Sequence, residues 1–89
     1  MAETFHLIVA SVGETKFDGA AVSATLPGSA GEFTVLAHHE PIVTTLKPGK
    51  IIVRPPALEV RVGEPGQQLE FSIQGGIIEM SGNRAVVLL

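Results

Sequence analysis

The sequence predicts an all-β fold, and three observations carry that expectation. Ten Gly and six Pro among 89 residues are spread so evenly that no stretch free of both exceeds 12 residues. Helices in globular proteins average about 11–12 residues, so almost nothing here has room for one. The intervening runs are rich in Val, Ile, Thr and Phe, whose stiff side chains pack well on a pleated surface. Many short strands between turn signals point to a sandwich or barrel.

Each run has its own signature. Phe5-His6-Leu7-Ile8-Val9-Ala10 is apolar on both faces apart from His6, as for a strand covered twice or lying at an interface. Val22-Ser23-Ala24-Thr25-Leu26 alternates and is expected to stop at Pro27-Gly28. Leu58-Glu59-Val60-Arg61-Val62 and Gln68-Leu69-Glu70-Phe71-Ser72-Ile73-Gln74 alternate on either side of Gly63-Glu64-Pro65-Gly66-Gln67. That segment is turn chemistry, Pro fixing φ and Gly supplying positive φ. A hairpin register pairing Val62 with Leu69, Val60 with Phe71 and Leu58 with Ile73 also sets Arg61 against Glu70. Ile51-Ile52-Val53 and the closing Val86-Val87-Leu88-Leu89 carry more aliphatics than one buried face needs. The last run is expected to be either a central strand or covered by a partner or a further segment.

Length and composition bound the rest. Residues 1–89 are enough for one domain. So small a domain buries only about 60% of the surface of its unfolded chain. With no cysteine, its core has to come from aliphatic packing. A net charge of −3 with six scattered Lys and Arg provides no footprint for a phosphate backbone or for anionic lipid. The N-terminal residues lack a secretory pattern, and no apolar run approaches the roughly 20 residues of a spanning helix. The expectation is a soluble, intracellular protein.

Catalytic chemistry is hard to assemble from these residues. His38-His39-Glu40 is the one local cluster of metal-capable side chains. On an extended chain, however, adjacent residues point to opposite faces, and no third ligand follows at a recognisable interval. His6 reads as a structural or interface histidine. The serines lack a glycine-flanked elbow, and Gly28-Ser29-Ala30-Gly31-Glu32 lacks the Lys-Ser/Thr of a phosphate loop. A binding or structural module is the reading these residues support.

Several stretches, in order and spanning nearly the whole chain, carry a resemblance. They are Phe5-His6-Leu7-Ile8-Val9 with Phe17-Asp18-Gly19, and Leu26-Pro27-Gly28-Ser29-Ala30-Gly31-Glu32-Phe33-Thr34-Val35-Leu36. His39-Glu40-Pro41-Ile42-Val43-Thr44-Thr45-Leu46-Lys47-Pro48-Gly49 follows. The last are Gln74-Gly75-Gly76-Ile77-Ile78-Glu79-Met80 and Asn83-Arg84-Ala85-Val86-Val87-Leu88. Together they resemble the epsilon subunit of F-type ATP synthases, in its N-terminal β-sandwich domain. The resemblance implies a flattened β-sandwich of two roughly five-stranded sheets, without catalytic residues or cofactor. It implies a place at the foot of the central stalk, between the gamma subunit and the c ring, on the cytoplasmic face of the bacterial inner membrane or the matrix or stromal equivalent.

By motif, Glu32, with Ser29 and Gly31 of the same loop, sits where that family faces the c ring. An exposed carboxylate on a Gly-flexed loop suits hydrogen bonding or pairing with a basic residue; the plainer reading is a solvated loop acid. His39, Pro41, Ile42, Thr45, Ile77, Ile78 and Met80 match segments expected near gamma, with ordinary core as the competing reading. Two residues depart from the pattern: His38 replaces a usual glycine, and Glu40 a usual small residue. Family members continue into a two-helix domain that inhibits hydrolysis and in some binds ATP; this sequence ends at Leu89, so neither activity is carried over. Two other classes compete. A biotinyl or lipoyl carrier requires a modifiable lysine in a characteristic setting, and Lys16, Lys47 and Lys50 lack it. A cupin-like metal site would have to use His38, His39 and Glu40.

Overall fold

A computed structural model describes residues 3–56 and 68–89, and all its regular elements are strands. They are β1 (Phe5–Ser11), β2 (Glu14–Ala21), β3 (Ser23–Gly28), β4 (Gly31–Leu36), β5 (Ile42–Leu46), β6 (Gly49–Arg54), β7 (Leu69–Ile73), β8 (Gly76–Ser81) and β9 (Arg84–Leu88). The all-β expectation holds. The arm expected at Leu58–Val62, with its Arg61–Glu70 pair, lies outside the described residues. Its other arm is β7, which pairs with β6, Ile51 opposite Phe71 and Val53 opposite Leu69.

Where the resemblance implied two separate sheets, hydrogen bonding runs continuously in the order β2-β1-β9-β8-β5-β3-β6-β7, with β4 beside β3. The five-strand half β2-β1-β9-β8-β5 and the four-strand half β4-β3-β6-β7 meet at a single paired position, Gly28 with Leu46. A sandwich has therefore been closed along one margin by a short seam. At the opposite margin Phe17 of β2 packs edge-to-face on Phe71 of β7, ring centroids 6.4 Å apart.

Alternation fixes which side of each strand is dry. Phe5, Leu7 and Val9 of β1, Ala24 and Leu26 of β3, Ile51 and Val53 of β6, Ile78 and Met80 of β8, and Ala85 and Val87 of β9 are all buried in one core. That core holds no polar or charged residue among those described. β9 is a central strand, lying between β1 and β8 and parallel to β1, with Ala85 and Val87 in the core, whereas Val86 is half-buried and Leu88 exposed on the outward face. β1 is dry on one side only: His6 is exposed and Ile8 half-buried.

β3 ends at Pro27-Gly28, as expected, but takes both residues into the strand, and both are buried. The β3–β6 ladder ends at Thr25, opposite Ile52, so Pro27 lies beyond it and has no ladder donor to lose. Its carbonyl accepts the Lys47 amide of the next connection at 2.9 Å.

Candidate functional site

Register sorts the candidate residues into one tip, one outward face and one far end. The tip is the β3–β4 hairpin. Gly28 pairs with Gly31 across the two-residue loop Ser29-Ala30. Gly28 has to be glycine here, since a Cβ would sit 2.7 Å from the Gly31 carbonyl oxygen and 2.8 Å from the Phe33 ring. Ser29, Gly31 and Glu32 are all exposed, and Glu32 has no ion pair among the described residues. Beside the tip lies the end of β5. The Ser29 amide donates to the Thr45 carbonyl at 3.0 Å, and the Ser29 and Thr45 hydroxyls are 2.7 Å apart.

The outward face of β5, β8 and β9 meets the tip at Thr45. Thr45 pairs with Ile77, which pairs with Leu88; Val43 pairs with Glu79, which pairs with Val86. Val43 is 66% exposed, Leu88 55% and Ile77 40%. An apolar surface of this kind, carrying one carboxylate at Glu79, is suited to docking rather than to bare solvent. Val43 was not singled out in the sequence, and Leu88 only as one of the closing aliphatic run. The signal available for Val43 was its parity with Thr45; Leu88 depends on the β8–β9 register.

The same register removes other candidates. Ile78 is 0% exposed and Met80 1%, so both belong to the core and offer no surface to a partner. Ile42 faces inward opposite Met80 and packs half-buried against that core. Only Thr45 and Ile77 of the β5 and β8 candidates point outward.

His39 and Pro41 lie at the far end, since β4 leads away from the Glu32 tip and β5 returns to it. His39 Nδ1 donates to the Glu40 carbonyl at 2.8 Å. His38 Nε2 is 3.6 Å from a Glu3 carboxylate oxygen, and His6 Nε2 is 2.6 Å from Asp18 Oδ1. No three His, Cys, Asp or Glu side chains gather as a metal site among the described residues.

Asn83 organises this end. With Gly82 it forms the two-residue β8–β9 turn, φ +57° and +60°, the Gly/Asn chemistry such turns need. Its Oδ1 accepts the His38 amide at 2.7 Å, and its Nδ2 donates to the Thr4 carbonyl at 2.9 Å. Its own carbonyl accepts the His6 amide at 3.1 Å. Asn83→Gly keeps the backbone freedom and loses both side-chain bonds; it is expected to cost about 1–3 kcal/mol and to lower Tm by roughly 4–8 °C per kcal/mol. Thermal denaturation beside the parent checks this, and an unmoved Tm would show that the clamp carries no weight.

Comparison with known proteins decides the family. Residues 4–89 match the model of the ATP synthase delta/epsilon chain β-sandwich domain. The chain belongs to that family. The match covers all nine strands and leaves the carrier and cupin-like alternatives without support. An ATP synthase epsilon chain of Stenotrophomonas maltophilia is 34% identical over 85 residues, which are 96% of this chain and 55% of the relative. One from Thioalkalivibrio sulfidiphilus is 31% identical over 88 residues, 99% of this chain and 57% of the relative. The chain thus spans about half the length of the curated relatives it matches. A chain of the Euglena gracilis mitochondrial ATP synthase (OSCP/F1/c-ring assembly) superposes with TM-score 0.80 at 23% identity, over 96% of this chain and 49% of that one. A chain from the Tetrahymena thermophila central stalk and c ring gives 0.71 at 14%, over 97% and 63%. These two likenesses bear on the fold alone.

Within this delta/epsilon-type domain the departure at His38 has a simple local account. The residue that replaces the usual glycine adopts the left-handed conformation itself, φ +61°. Histidine is among the non-glycine residues enriched there, and the Asn83 bond to its amide holds it.

Proposed function

We propose that residues 1–89 form one non-catalytic domain of a rotary ATP synthase, working at the foot of the central stalk. The observation that carries this reading is the family match over residues 4–89. The outward face of Val43, Ile77 and Leu88 takes the gamma subunit, the Ser29–Glu32 tip meets the c ring, and Thr45 lies where face and tip join. His39 and Pro41, at the far end, are a separate margin of the gamma contact, while Ile42, Ile78 and Met80 support the face from inside. The domain is peripheral to the membrane through its complex, on the cytoplasmic face in a bacterium or the matrix or stromal face in an organelle. Its work is transmission of torque by contact, so it requires no cofactor and breaks no bond.

The burial pattern supports a division of labour between face and tip. An apolar face gains binding energy from area removed from water, about 25 cal/mol per Å². A carboxylate on an exposed loop adds little by burial but specifies where a basic or hydrogen-bonding group must sit. Glu32→Gln should leave the Tm of the free domain within about 1 °C, since the side chain is exposed and unpaired among the described residues. In the assembled complex it should loosen the c-ring contact by about tenfold or more, the weight of a charge-assisted hydrogen bond. ATP-driven proton pumping measured against ATP hydrolysis reads the effect. Pumping that stays in its parental ratio to hydrolysis would remove Glu32 from the interface.

A further inference from the structure

The Glu32 hairpin has few hydrogen-bonded neighbours. β4 pairs only with β3 among the described strands, and the β3–β6 ladder ends at Thr25. Gly49 at the start of β6 still lies against Pro27, where an added Cβ would sit 3.0 Å from the proline Cβ, but no β6 residue pairs with Leu26, Pro27 or Gly28, and β5 supplies the hydrogen bonds that brace them. The brace consists of the Gly28–Leu46 pair, the Lys47 amide on the Pro27 carbonyl at 2.9 Å, the Ser29 amide on the Thr45 carbonyl at 3.0 Å, and the Ser29–Thr45 hydroxyl pair at 2.7 Å. This is also the seam that joins the two halves of the sandwich by hydrogen bonds. The loop that must hold an acid in register with a moving partner is thus tied to the face proposed to hold the stalk.

We infer that Thr45 is a positioning residue for Glu32: its hydroxyl, bonded to that of Ser29, locks the acidic tip onto β5 so that the carboxylate keeps one orientation relative to the outward face. The inference rests on the reading of Glu32 given above. Its physical basis is that the Ser29 backbone is already bonded to Thr45, so the hydroxyl pair closes a small ring whose ends are pre-placed. Little further entropy is lost in forming it. Without it the two-residue loop pivots on the single remaining Ser29 amide bond and the Gly28–Gly31 closing pair. An interface pays for such pivoting through the ordering cost on binding.

The test uses three substitutions and two readouts. Thr45→Val keeps the shape and removes the hydroxyl, Thr45→Ser restores a hydroxyl, and Glu32→Gln removes the charge that is positioned. Binding is measured to a detergent-solubilised gamma subunit–c-ring complex, and amide exchange at Ser29 is followed in the free chain. The expected result is faster Ser29 exchange and about three- to tenfold weaker binding for Thr45→Val, both recovered in Thr45→Ser. In a Glu32→Gln background, Thr45→Val should bring no further loss, because two residues acting through one contact are not additive. An equal Thr45→Val penalty in both backgrounds would mean that Thr45 touches the partner directly, and would overturn the inference. So would parental binding by Thr45→Val when Glu32→Gln binds weakly. A Glu32→Gln variant that itself binds like the parent sinks the reading of Glu32, and this inference with it, and is recognised from that single variant.

Discussion

Ile78→Ala is expected to cost about 2–5 kcal/mol of stability, the range for emptying a fully buried aliphatic site, and to lower Tm by roughly 8–40 °C in a chain of this size. Ile77→Ala, one residue earlier, is expected to move stability by no more than about 0.5 kcal/mol. The contrast follows from parity alone. Ile78 is completely buried between Thr44 and Val87 on the dry side of β8, whereas Ile77 lies outward between Thr45 and Leu88. With no cysteine and a small core, little else compensates for a cavity there. In binding the order reverses: Ile77→Ala should weaken attachment to gamma by about tenfold while the free domain melts normally. Equal losses of stability at the two positions would show that the facing of β8 is wrong.

Gly76→Ala is expected to be nearly as severe, about 3 kcal/mol or more, by a different mechanism. Gly76 has φ +152°, and a Cβ there would sit 2.5 Å from the Leu88 carbonyl oxygen and 3.1 Å from a Leu89 methyl. The residue thus combines a backbone conformation that L side chains resist with a collision against the main chain of central strand β9. Relief requires opening the β8–β9 ladder where Ile77 meets Leu88, which would also distort the proposed gamma face. Gly82→Ala is the control. Its φ is +57° but nothing lies within 4 Å of the added methyl, so it should cost only about 1–2 kcal/mol. Chemical denaturation of the two variants side by side separates collision from conformation. Equal costs would mean that the close approach to β9 is not rigid.

What could be read from the sequence was mainly local. Even spacing of Gly and Pro excluded helices, and alternation placed Leu26 inward as the β3 run suggested. The glycine-rich segment at residues 28–32 was read as a Gly-flexed loop, and it forms the hairpin tip around Ser29-Ala30. What could not be read depends on partners distant in the chain. Pro27 looked like a strand end because a proline breaks a ladder, but nothing local indicates that the β6 ladder has already ended at Thr25. Ile77 and Ile78 are chemically identical neighbours, and only pairing with Thr45 and Leu88 distinguishes the outward residue from the core residue. The β1–β9 parallel pair joins the two extremes of the chain, so the excess aliphatics of residues 86–89 had two explanations until their neighbours were known. The seam at Ser29 and Thr45 likewise joins residues that no short-range pattern associates.

The measurement closest to the central claim is association of this chain with a matching gamma subunit, by titration calorimetry with size exclusion of the mixture. A one-to-one complex of micromolar affinity or better, weakened by Ile77→Ala and not by Gly82→Ala, is the predicted result. A folded chain that shows no binding at micromolar concentration would contradict attachment through the β5–β8–β9 face.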